Sequence, residues 1–217
     1  MKKYIACLLF FCCSIYSHAS EISRVPLGKK TEKTSPSEVE KGPRKKERAV
    51  AKCVSSKLTN QFYSGELTQR PWYYINNVGS RGRTLITHDE TVWEISGNHS
   101  FKTCRWCPGS PVVITPNYSW FSSYDYILKN QETGEFAEAD LSQGPLIEYA
   151  LFIQYVDPYQ GYLQLTNGSH WYTDISARLL TWKTGQAILI GENDAWFGRK
   201  NILININENN FVTATAY

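Results

Sequence analysis

The sequence predicts an all-β protein made of two tandem copies of a small antiparallel unit. Each unit is expected to have five or six strands in a barrel-like or sandwich-like arrangement, and the two units are expected to pack on each other. Two observations lead to this prediction. The second half of the 217-residue chain repeats the pattern of the part before it. From residue 71 onward, runs rich in β-branched and aromatic residues alternate with Gly, Asn, Asp and Pro, which is typical of strands joined by tight turns.

The repeat is clearest at the tryptophans, because this residue type is rare and its matched spacing is therefore informative. Trp171, Trp182 and Trp196 align with Trp93, Trp106 and Trp120. Gly185 aligns with Gly109, Ile188-Leu189-Ile190 with Val112-Val113-Ile114, and Asn193 with Asn117. The two copies are therefore predicted to occupy residues 71–145 and 146–217. Units of about seventy residues bury a small share of their surface, so we expect each to gain stability from the other.

The first 19 residues have the three parts of a secretory signal peptide. Two lysines provide the positive start, residues 4–16 form an apolar run too short to cross a bilayer, and Ser17-His18-Ala19 places small residues before the cleavage position. A lipoprotein signal at Cys12-Cys13 is the alternative, although the residue before a lipidated cysteine is normally small. We therefore predict a periplasmic or secreted protein with no transmembrane segment after cleavage.

Residues 20–50 are predicted to be a disordered, charged linker. This stretch carries much of the basic charge and has few apolar side chains, so burial could not offset the conformational entropy lost on folding. Residues 51–70 show no clear periodicity and are predicted to be coil or a short helix. The net charge of the whole chain is only +3, and the repeated part is close to neutral, so charge gives no argument for nucleic-acid binding.

Each copy contains six candidate strands. In the first copy they lie near residues 72–78, 83–88, 91–96, 111–115, 124–130 and 135–141. In the second copy they lie near residues 148–156, 162–166, 169–175, 186–190, 201–207 and 210–216. Asn167-Gly168 favours a type I′ hairpin turn, in which both central residues have positive φ. In residues 201–207, Ile202, Ile204 and Ile206 share one face, and the other face is predicted to be partly solvated.

Two resemblances accompany this pattern. The segment Trp-x-x-Gly-x-x followed by two apolar residues and Ile resembles the entry to a strand in SH3-like barrels over about ten residues per copy. It implies that the Gly permits a tight turn and that the Trp covers the end of a barrel. The wider pattern Gly-Ser-x-Trp, Trp-x-x-Gly and Asn-x-x-Trp, over about residues 71–217, is similar to a set of uncharacterised exported bacterial proteins with a tandem Trp-rich β-repeat. This second resemblance supports the repeat and implies no known activity or ligand.

Three cysteines remain after the predicted cleavage, and Cys104 and Cys107 form a CxxC motif. In an exported protein this pattern favours a structural disulfide, either between Cys104 and Cys107 or from Cys53 to one of them. A redox-active dithiol is the alternative, and it requires the first thiolate to lie at a helix N-terminus. A Pro-Gly pair follows the motif and leads into a strand instead. The second copy has no cysteine at the matching positions, so the fold does not require them.

The remaining residues show no other catalytic or metal-binding pattern. His88, His99 and His170 are the histidines outside the signal peptide, and none has the spacing of metal ligands. An unrecognised hydrolase stays an alternative because Ser, His and Asp all occur, but no nucleophile elbow or Gly-rich phosphate loop is present. The sequence therefore predicts a protein that is not an enzyme and that has no metal and no cofactor.

Two aromatic loops are the strongest candidates for a functional site. Trp120-Phe121 and Trp196-Phe197 follow Asn117 and Asn193 at the same place in the two copies. One interpretation is that these tryptophans are buried plugs that the fold requires. The other is that they form exposed stacking platforms for sugar rings or a peptide, with the two asparagines as polar partners.

These features together favour a non-catalytic binding or scaffold module of the bacterial envelope. The expected ligand is a glycan or a peptide, and the expected partners are an envelope glycan or protein. The alternatives are a CxxC dithiol oxidoreductase, an unrecognised hydrolase, and a structural protein that binds a partner, in one version through a disulfide formed by the unpaired cysteine.

Overall fold

The structure is a computed structural model that describes residues 23–28 and 72–217. The predictions for residues 1–19 and 51–70, and for most of 20–50, lie outside the described residues. The first copy contains β1 (Tyr73–Val78), β2 (Thr84–Thr87), β3 (Val92–Ile95), β4 (Pro111–Pro116), β5 (Tyr126–Asn130) and β6 (Phe136–Gln143). The second copy contains β7 (Leu151–Asp157), β8 (Tyr162–Leu165), β9 (His170–Thr173), β10 (Ala187–Glu192), β11 (Asn201–Asn205) and β12 (Asn210–Ala216).

Helices are short in the described part of the chain. They comprise one four-residue α-helix, α1 (Ser100–Thr103), and 3₁₀ helices at Ser80–Gly82, Ile147–Tyr149 and Leu179–Thr181. None of the helices formed by residues 23–28 and 72–217 has the length and apolar character that a bilayer span requires.

Each copy forms a closed, six-stranded antiparallel barrel. Neighbouring strands run in the order β1-β2-β3-β6-β5-β4 in the first barrel and β7-β8-β9-β12-β11-β10 in the second. The first barrel closes where Tyr73 of β1 pairs with Val112 of β4, and the second where Phe152 of β7 pairs with Ala187 of β10. The predicted all-β fold with two tandem antiparallel units is therefore confirmed, and each unit is a barrel.

The two barrels share their local irregularities as well as their topology. A bulge interrupts β1 between Ile75 and Asn77, and the equivalent bulge interrupts β7 between Ile153 and Tyr155. At each bulge the chain before β4 or β10 makes a tight turn, where Gly109 and Gly185 have φ of 88° and 85°. This positive φ explains why glycine occupies the aligned position in both copies.

Aligned tryptophans occupy aligned buried sites in the two barrels. Trp93 and Trp171 are buried in the two cores, and Trp106 and Trp182 are also buried. The Trp106 indole N–H donates to the Glu135 carboxylate at 2.9 Å, and the Trp182 indole N–H donates to the side-chain oxygen of Asn210 at 2.8 Å. Both acceptors lie on the hairpin that joins the last two strands of their barrel, so the same tertiary contact is made with different side chains.

The equivalent strands β4 and β10 bring the two barrels together. The Tyr73 hydroxyl donates to the Ile190 carbonyl and accepts from the Ile190 N–H, both at 3.1 Å. Further along, a Cβ built on Gly191 would lie 2.6 Å from the carbonyl oxygen of Ile114. Glycine at this position therefore permits the close approach of the two backbones. The two barrels pack on each other, as predicted, because side chains on the outer face of β10 and β11 join the buried cluster of the first barrel, while the interior of the second barrel is a separate cluster.

Strand β11 corrects one prediction from the sequence. Ile202, Ile204 and Ile206 do share a face, and this face packs on the core of the first barrel. The opposite face was expected to be partly solvated, and this was wrong, because Leu203 points into the second barrel and is fully buried. A strand at a barrel–barrel interface is covered on both sides, whereas the alternation pattern alone predicts burial on one side.

Residues 23–28 correct a second prediction. Val25 is buried, its N–H donates to the Pro145 carbonyl at 3.2 Å, and the N–H of Gly28 donates to the Ile206 carbonyl at 2.9 Å. The segment thus contacts the chain between the barrels and the end of β11. For these six residues the prediction of a disordered linker is wrong, because Val25 is buried and Leu27 packs against the same core.

The hairpin turn at Asn167-Gly168 corrects a third prediction, that of a type I′ turn. Gly168 has φ of 80°, but Asn167 does not have positive φ, so the turn is not type I′. The N–H of Leu165 donates to the Ser169 carbonyl at 3.0 Å, which makes the loop one residue longer than predicted. In the first barrel Glu90 takes the place of Gly168 with φ of 64°, so the same turn forms there without glycine.

Candidate binding surface at the paired aromatic loops

Two loops that follow the interface strands carry the predicted aromatic site. Residues 117–125 connect β4 to β5, and residues 193–200 connect β10 to β11. The side chains of Trp120 and Trp196 are 96% and 95% exposed, Phe121 is fully exposed, and Phe197 is more than half exposed. The interpretation as buried plugs is therefore wrong, and these four side chains, named here the aromatic tips, point into solvent.

The two loops lie against each other. The Tyr118 hydroxyl donates to the side-chain oxygen of Asn193 at 3.0 Å, and the ring centroids of Tyr118 and Phe197 are 6.3 Å apart. An ion pair between Lys129 and Asp194 also joins the first barrel to the second loop. Contacts between the barrels therefore continue from the interface strands into the loops. This arrangement places both pairs of aromatic tips at the same end of the molecule.

The predicted polar partners, Asn117 and Asn193, build the loops themselves. The Asn193 amide donates to the carbonyls of Phe197 and Arg199 at 3.1 and 2.8 Å, and the side chain of Asn193 is buried. The side-chain oxygen of Asn117 accepts the N–H of Ser119 at 3.0 Å. The Asn117 amide also donates to the Glu138 carboxylate of β6 at 3.4 Å, and the Asn193 side-chain oxygen accepts the Tyr118 hydroxyl of the other loop. Because these groups bond within the protein, we assign both asparagines to positioning the aromatic tips rather than to direct ligand contact.

Tyr118 is a positioning residue that the sequence reasoning missed. Partial burial, with the nearby Asp194 carboxylate, raises the pKa of the Tyr118 hydroxyl further above the physiological pH range, in which the hydroxyl is in any case protonated and able to donate. No Tyr stands at the aligned position of the second copy, where the residue is Asp194. The repeat therefore gave no signal for this contact, which exists only because the two loops meet.

The aromatic tips form a protruding surface. The rings of Trp196 and Phe197 are 5.5 Å apart and nearly perpendicular, at 85°. Large apolar side chains at this exposure are unusual for a soluble surface unless another molecule covers them. Aromatic rings at loop tips can stack on sugars or enter an apolar groove of a partner.

The CxxC motif does not form a local disulfide. Cys104 is a free, exposed thiol, whereas Cys107 is disulfide-bonded. The predicted bridge between these two residues is therefore wrong, and the alternative bridge from Cys53 falls outside the described residues. Cys104 follows the C-terminal end of α1, so it lacks the helix N-terminus that stabilises the reactive thiolate of a dithiol oxidoreductase.

The histidines have structural surroundings. The Nδ1 atoms of His88 and His99 accept backbone N–H groups of Tyr74 and Glu138, and His170 Nδ1 shares a hydrogen bond with the Tyr162 hydroxyl. Within residues 23–28 and 72–217, no serine hydroxyl bonds to a histidine, and no group of three potential metal ligands occurs. The geometry therefore gives no support to the hydrolase alternative.

A second aromatic surface was not predicted. Tyr155, Tyr162 and Tyr172 lie on the outer face of β7, β8 and β9, and together they line a shallow groove. A signal existed in the sequence, because His170 and Tyr172 are two residues apart in a predicted strand and so share its outer face. Tyr162 lies on the neighbouring strand β8, and it could be placed beside Tyr172 only once the register between β8 and β9 was known.

The fold and the exposed surface together define a tandem-barrel protein with paired aromatic loops at one end. Comparison of the chain with family models, with curated proteins and with solved structures finds no match.

Proposed function

We propose that this chain is an exported, non-catalytic binding module of the bacterial envelope that uses its aromatic tips to hold a partner. The observation that carries the proposal is the near-complete exposure of Trp120 and Trp196 at equivalent loop positions. An indole left in water at both copies has a cost in solubility that burial against a partner would remove.

The surroundings of the tips favour a peptide or protein partner over a glycan. A sugar needs polar groups beside the stacking ring to bond its hydroxyls, and the two asparagines expected in that role bond within the loops instead. Neither asparagine is therefore free to bond the hydroxyls of a sugar stacked on the tips. Protruding aromatic side chains of this kind are the residues that dominate binding energy when they enter an apolar pocket of a partner.

The rigid mounting of the loops also supports binding. The hydrogen bond from Tyr118 to Asn193 and the ring contact of Tyr118 with Phe197 hold the loops together before any partner arrives. Less conformational entropy is then lost on association, which raises affinity without adding contacts.

A displayed library of random peptides, selected on the full chain, tests the proposal. We expect enriched peptides to carry apolar residues, and the double variant Trp120→Ala/Trp196→Ala to bind them at least about tenfold more weakly, because two anchors are lost. Both side chains lie in solvent, so the variant should unfold at the same denaturant concentration as the wild type.

Tyr149→Ala is the matched control, because Tyr149 is exposed and lies outside the loops. It should bind the selected peptides as the wild type does. A glycan and peptidoglycan array is run in parallel. Binding to glycans alone, or peptide binding that the double variant retains in full, would contradict the proposal.

A further inference from the structure

The tyrosine groove on the second barrel is a separate site of different chemistry. We use this name for the groove lined by Tyr155, Asp157, Gln160, Tyr162 and Tyr172. Tyr155 and Tyr172 are 51% and 41% exposed, although β7 is the direct neighbour of the interface strand β10. The groove is therefore on a wall that the other barrel leaves open.

The barrel does not need these aromatic residues. The two copies have the same strand register here, so Tyr162 beside Tyr172 in the second barrel corresponds to Thr84 beside Glu94 in the first. Tyr155 likewise corresponds to Asn77. The first barrel closes with polar residues at all three positions, so stability of the fold does not account for three neighbouring tyrosines in the second.

The tyrosine rings are held in a fixed arrangement. Adjacent ring centroids lie 6.0 Å apart for Tyr155 and Tyr162 and 5.5 Å apart for Tyr162 and Tyr172, with interplanar angles of 55° and 59°. The Tyr162 hydroxyl is hydrogen-bonded to His170 Nδ1, which orients the central ring. Rings inclined in this way around one groove can face a compact, rounded group, whereas a flat sugar ring stacks best on a single level surface.

The charge of the groove is negative. Its lining contains the Asp157 carboxylate and no basic side chain. Asp157 Oδ1 accepts the N–H groups of Tyr159 and Gln160 at 3.0 and 3.1 Å, so the turn between β7 and β8 holds the carboxylate in place. An aromatic surface with a fixed carboxylate complements a cation, because the negative ring faces and the carboxylate attract the same charge.

We propose that the tyrosine groove binds a quaternary ammonium group. The trimethylammonium head packs on the rings of Tyr155, Tyr162 and Tyr172, and Asp157 supplies the opposite charge. Such a cation is weakly hydrated and rounded, so it loses little solvation on entering a shallow aromatic groove. The group could be presented by a free solute such as choline or by a phosphatidylcholine headgroup.

Saturation-transfer NMR on the full chain tests the charge requirement. The probes are choline and dimethylbutanol, the uncharged carbon analogue of the same shape. We expect choline to bind at least about tenfold more tightly than dimethylbutanol, which corresponds to one cation–π contribution in a partly desolvated site. Equal binding of the two probes would overturn the proposal, and so would the absence of choline binding to a correctly folded chain.

Three variants separate the cation from a sugar. Tyr155→Phe keeps the ring and should keep choline binding, whereas Tyr155→Leu and Asp157→Asn should each weaken it about tenfold. Tyr149→Leu, outside the groove, is the control and should bind normally. A neutral oligosaccharide that binds the groove and is lost in Tyr155→Phe would instead assign the site to sugar hydroxyls and overturn the proposal.

Cosedimentation with lipid vesicles shows whether the quaternary ammonium group comes from a lipid headgroup or from a free solute. Cosedimentation with phosphatidylcholine vesicles, reversed by free choline and absent with phosphatidylglycerol vesicles, would assign the groove to the lipid headgroup. Binding of free choline without cosedimentation would assign it to a soluble ligand. Either result supports the quaternary ammonium site, and neither depends on the aromatic tips, which Trp120→Ala/Trp196→Ala removes separately.

Discussion

Two aligned tryptophans have different hydrogen-bonding surroundings in the two barrels. The Trp171 indole N–H donates to the Ser169 hydroxyl at 2.8 Å, and that hydroxyl donates to the side-chain oxygen of Asn167 at 2.7 Å. The indole N–H of Trp93 is buried and has no partner in the described part of the chain. The threonine at the position of Ser169, Thr91, donates to Asp89 instead. One core tryptophan is thus satisfied and its counterpart is not.

Replacement of Ser169 by Ala should destabilise the protein by about 1–3 kcal/mol, because it leaves the buried Trp171 N–H without an acceptor. The free energy of unfolding from urea titration measures the effect. Ser176→Ala is the matched control, since the Ser176 hydroxyl is also buried but has no hydrogen-bond partner. Ser176→Ala should be neutral or slightly stabilising, and an equal loss in both variants would contradict this account.

Residue identity in the sequence predicted burial better than it predicted contacts. Trp106 and Trp182 resembled barrel-covering residues and are buried. Trp120 and Trp196 aligned equally well, yet the sequence could not separate a plug from an exposed tip, because a repeated Trp satisfies both interpretations. The role of Asn193 in shaping its loop could not be predicted either. Its amide donates to backbone carbonyls of that loop, and no periodic sequence pattern predicts the shape of a loop.

At the scale of elements, α1 depends on a neutral histidine. His99 stands before α1, and its Nδ1 accepts the backbone N–H of Glu138 in β6 at 3.1 Å. Burial, with a smaller effect of Lys102, lowers the pKa of His99 below its ordinary 6.5, although the Glu138 carboxylate 3.7 Å away acts in the opposite direction. Protonation would also remove the acceptor that fastens α1 to β6.

This pKa shift predicts a pH dependence of stability. The unfolded chain binds a proton at His99 more tightly than the folded chain does, so stability falls as pH decreases through about 6.5 and the contribution is intact above it. Urea unfolding between about pH 5 and pH 7 should therefore show a steeper slope for the wild type than for His99→Gln. Gln keeps an acceptor for the Glu138 N–H. Identical pH slopes in the two proteins would rule out this role.

The strands were predicted closely, whereas the helices were missed. Strand bounds followed from alternating apolar residues and from turn residues, and both signals repeat in the two copies. A helix of four residues such as α1 is too short to show a helical period. Strand β11 was assigned correctly but its second buried face was not. An alternating pattern assigns one face to a core, whereas Ile202 and Ile204 pack on the first barrel and Leu203 faces the core of its own barrel.

At the scale of the whole molecule, the core of the first barrel extends onto the outer face of the second barrel, whose interior is a separate core. Side chains on the outer face of β10 and β11, including Leu189 and Ile204, belong to the same buried cluster as the interior of the first barrel. Separation of the barrels would expose this surface to water. We therefore expect the two barrels to unfold in a single cooperative transition, although each has its own closed sheet.

Tyr73→Phe should lower the free energy of unfolding by about 1–2 kcal/mol, because the Tyr73 hydroxyl bonds both the N–H and the carbonyl of Ile190 in the other barrel. Urea unfolding followed by tryptophan fluorescence and by circular dichroism measures the loss and the number of transitions. Tyr159→Phe is the control, since Tyr159 is largely exposed. Two separate transitions in the wild type would contradict the expected coupling of the two barrels.

The tandem arrangement could be predicted because duplication leaves a readable pattern, but the way the copies meet could not. The contact of Gly191 with Ile114 depends on which strands of the two barrels face each other, and the repeat pattern does not predict which strands these are. The tyrosine groove was missed for the reverse reason. It exists in one copy only, so Tyr155, Tyr162 and Tyr172 are not part of the pattern that the two copies share.

The contact between the two loops has a consequence for avidity. Tyr118 and Asn193 hold the loops side by side. If the aromatic tips bind a partner as proposed, a partner with two apolar sites along its length would be bound at both loops of one molecule. The second contact would form at a high effective concentration, so the combined affinity can exceed that of either contact alone by orders of magnitude. Duplication of the barrel would in this way give one molecule a bivalent binding surface.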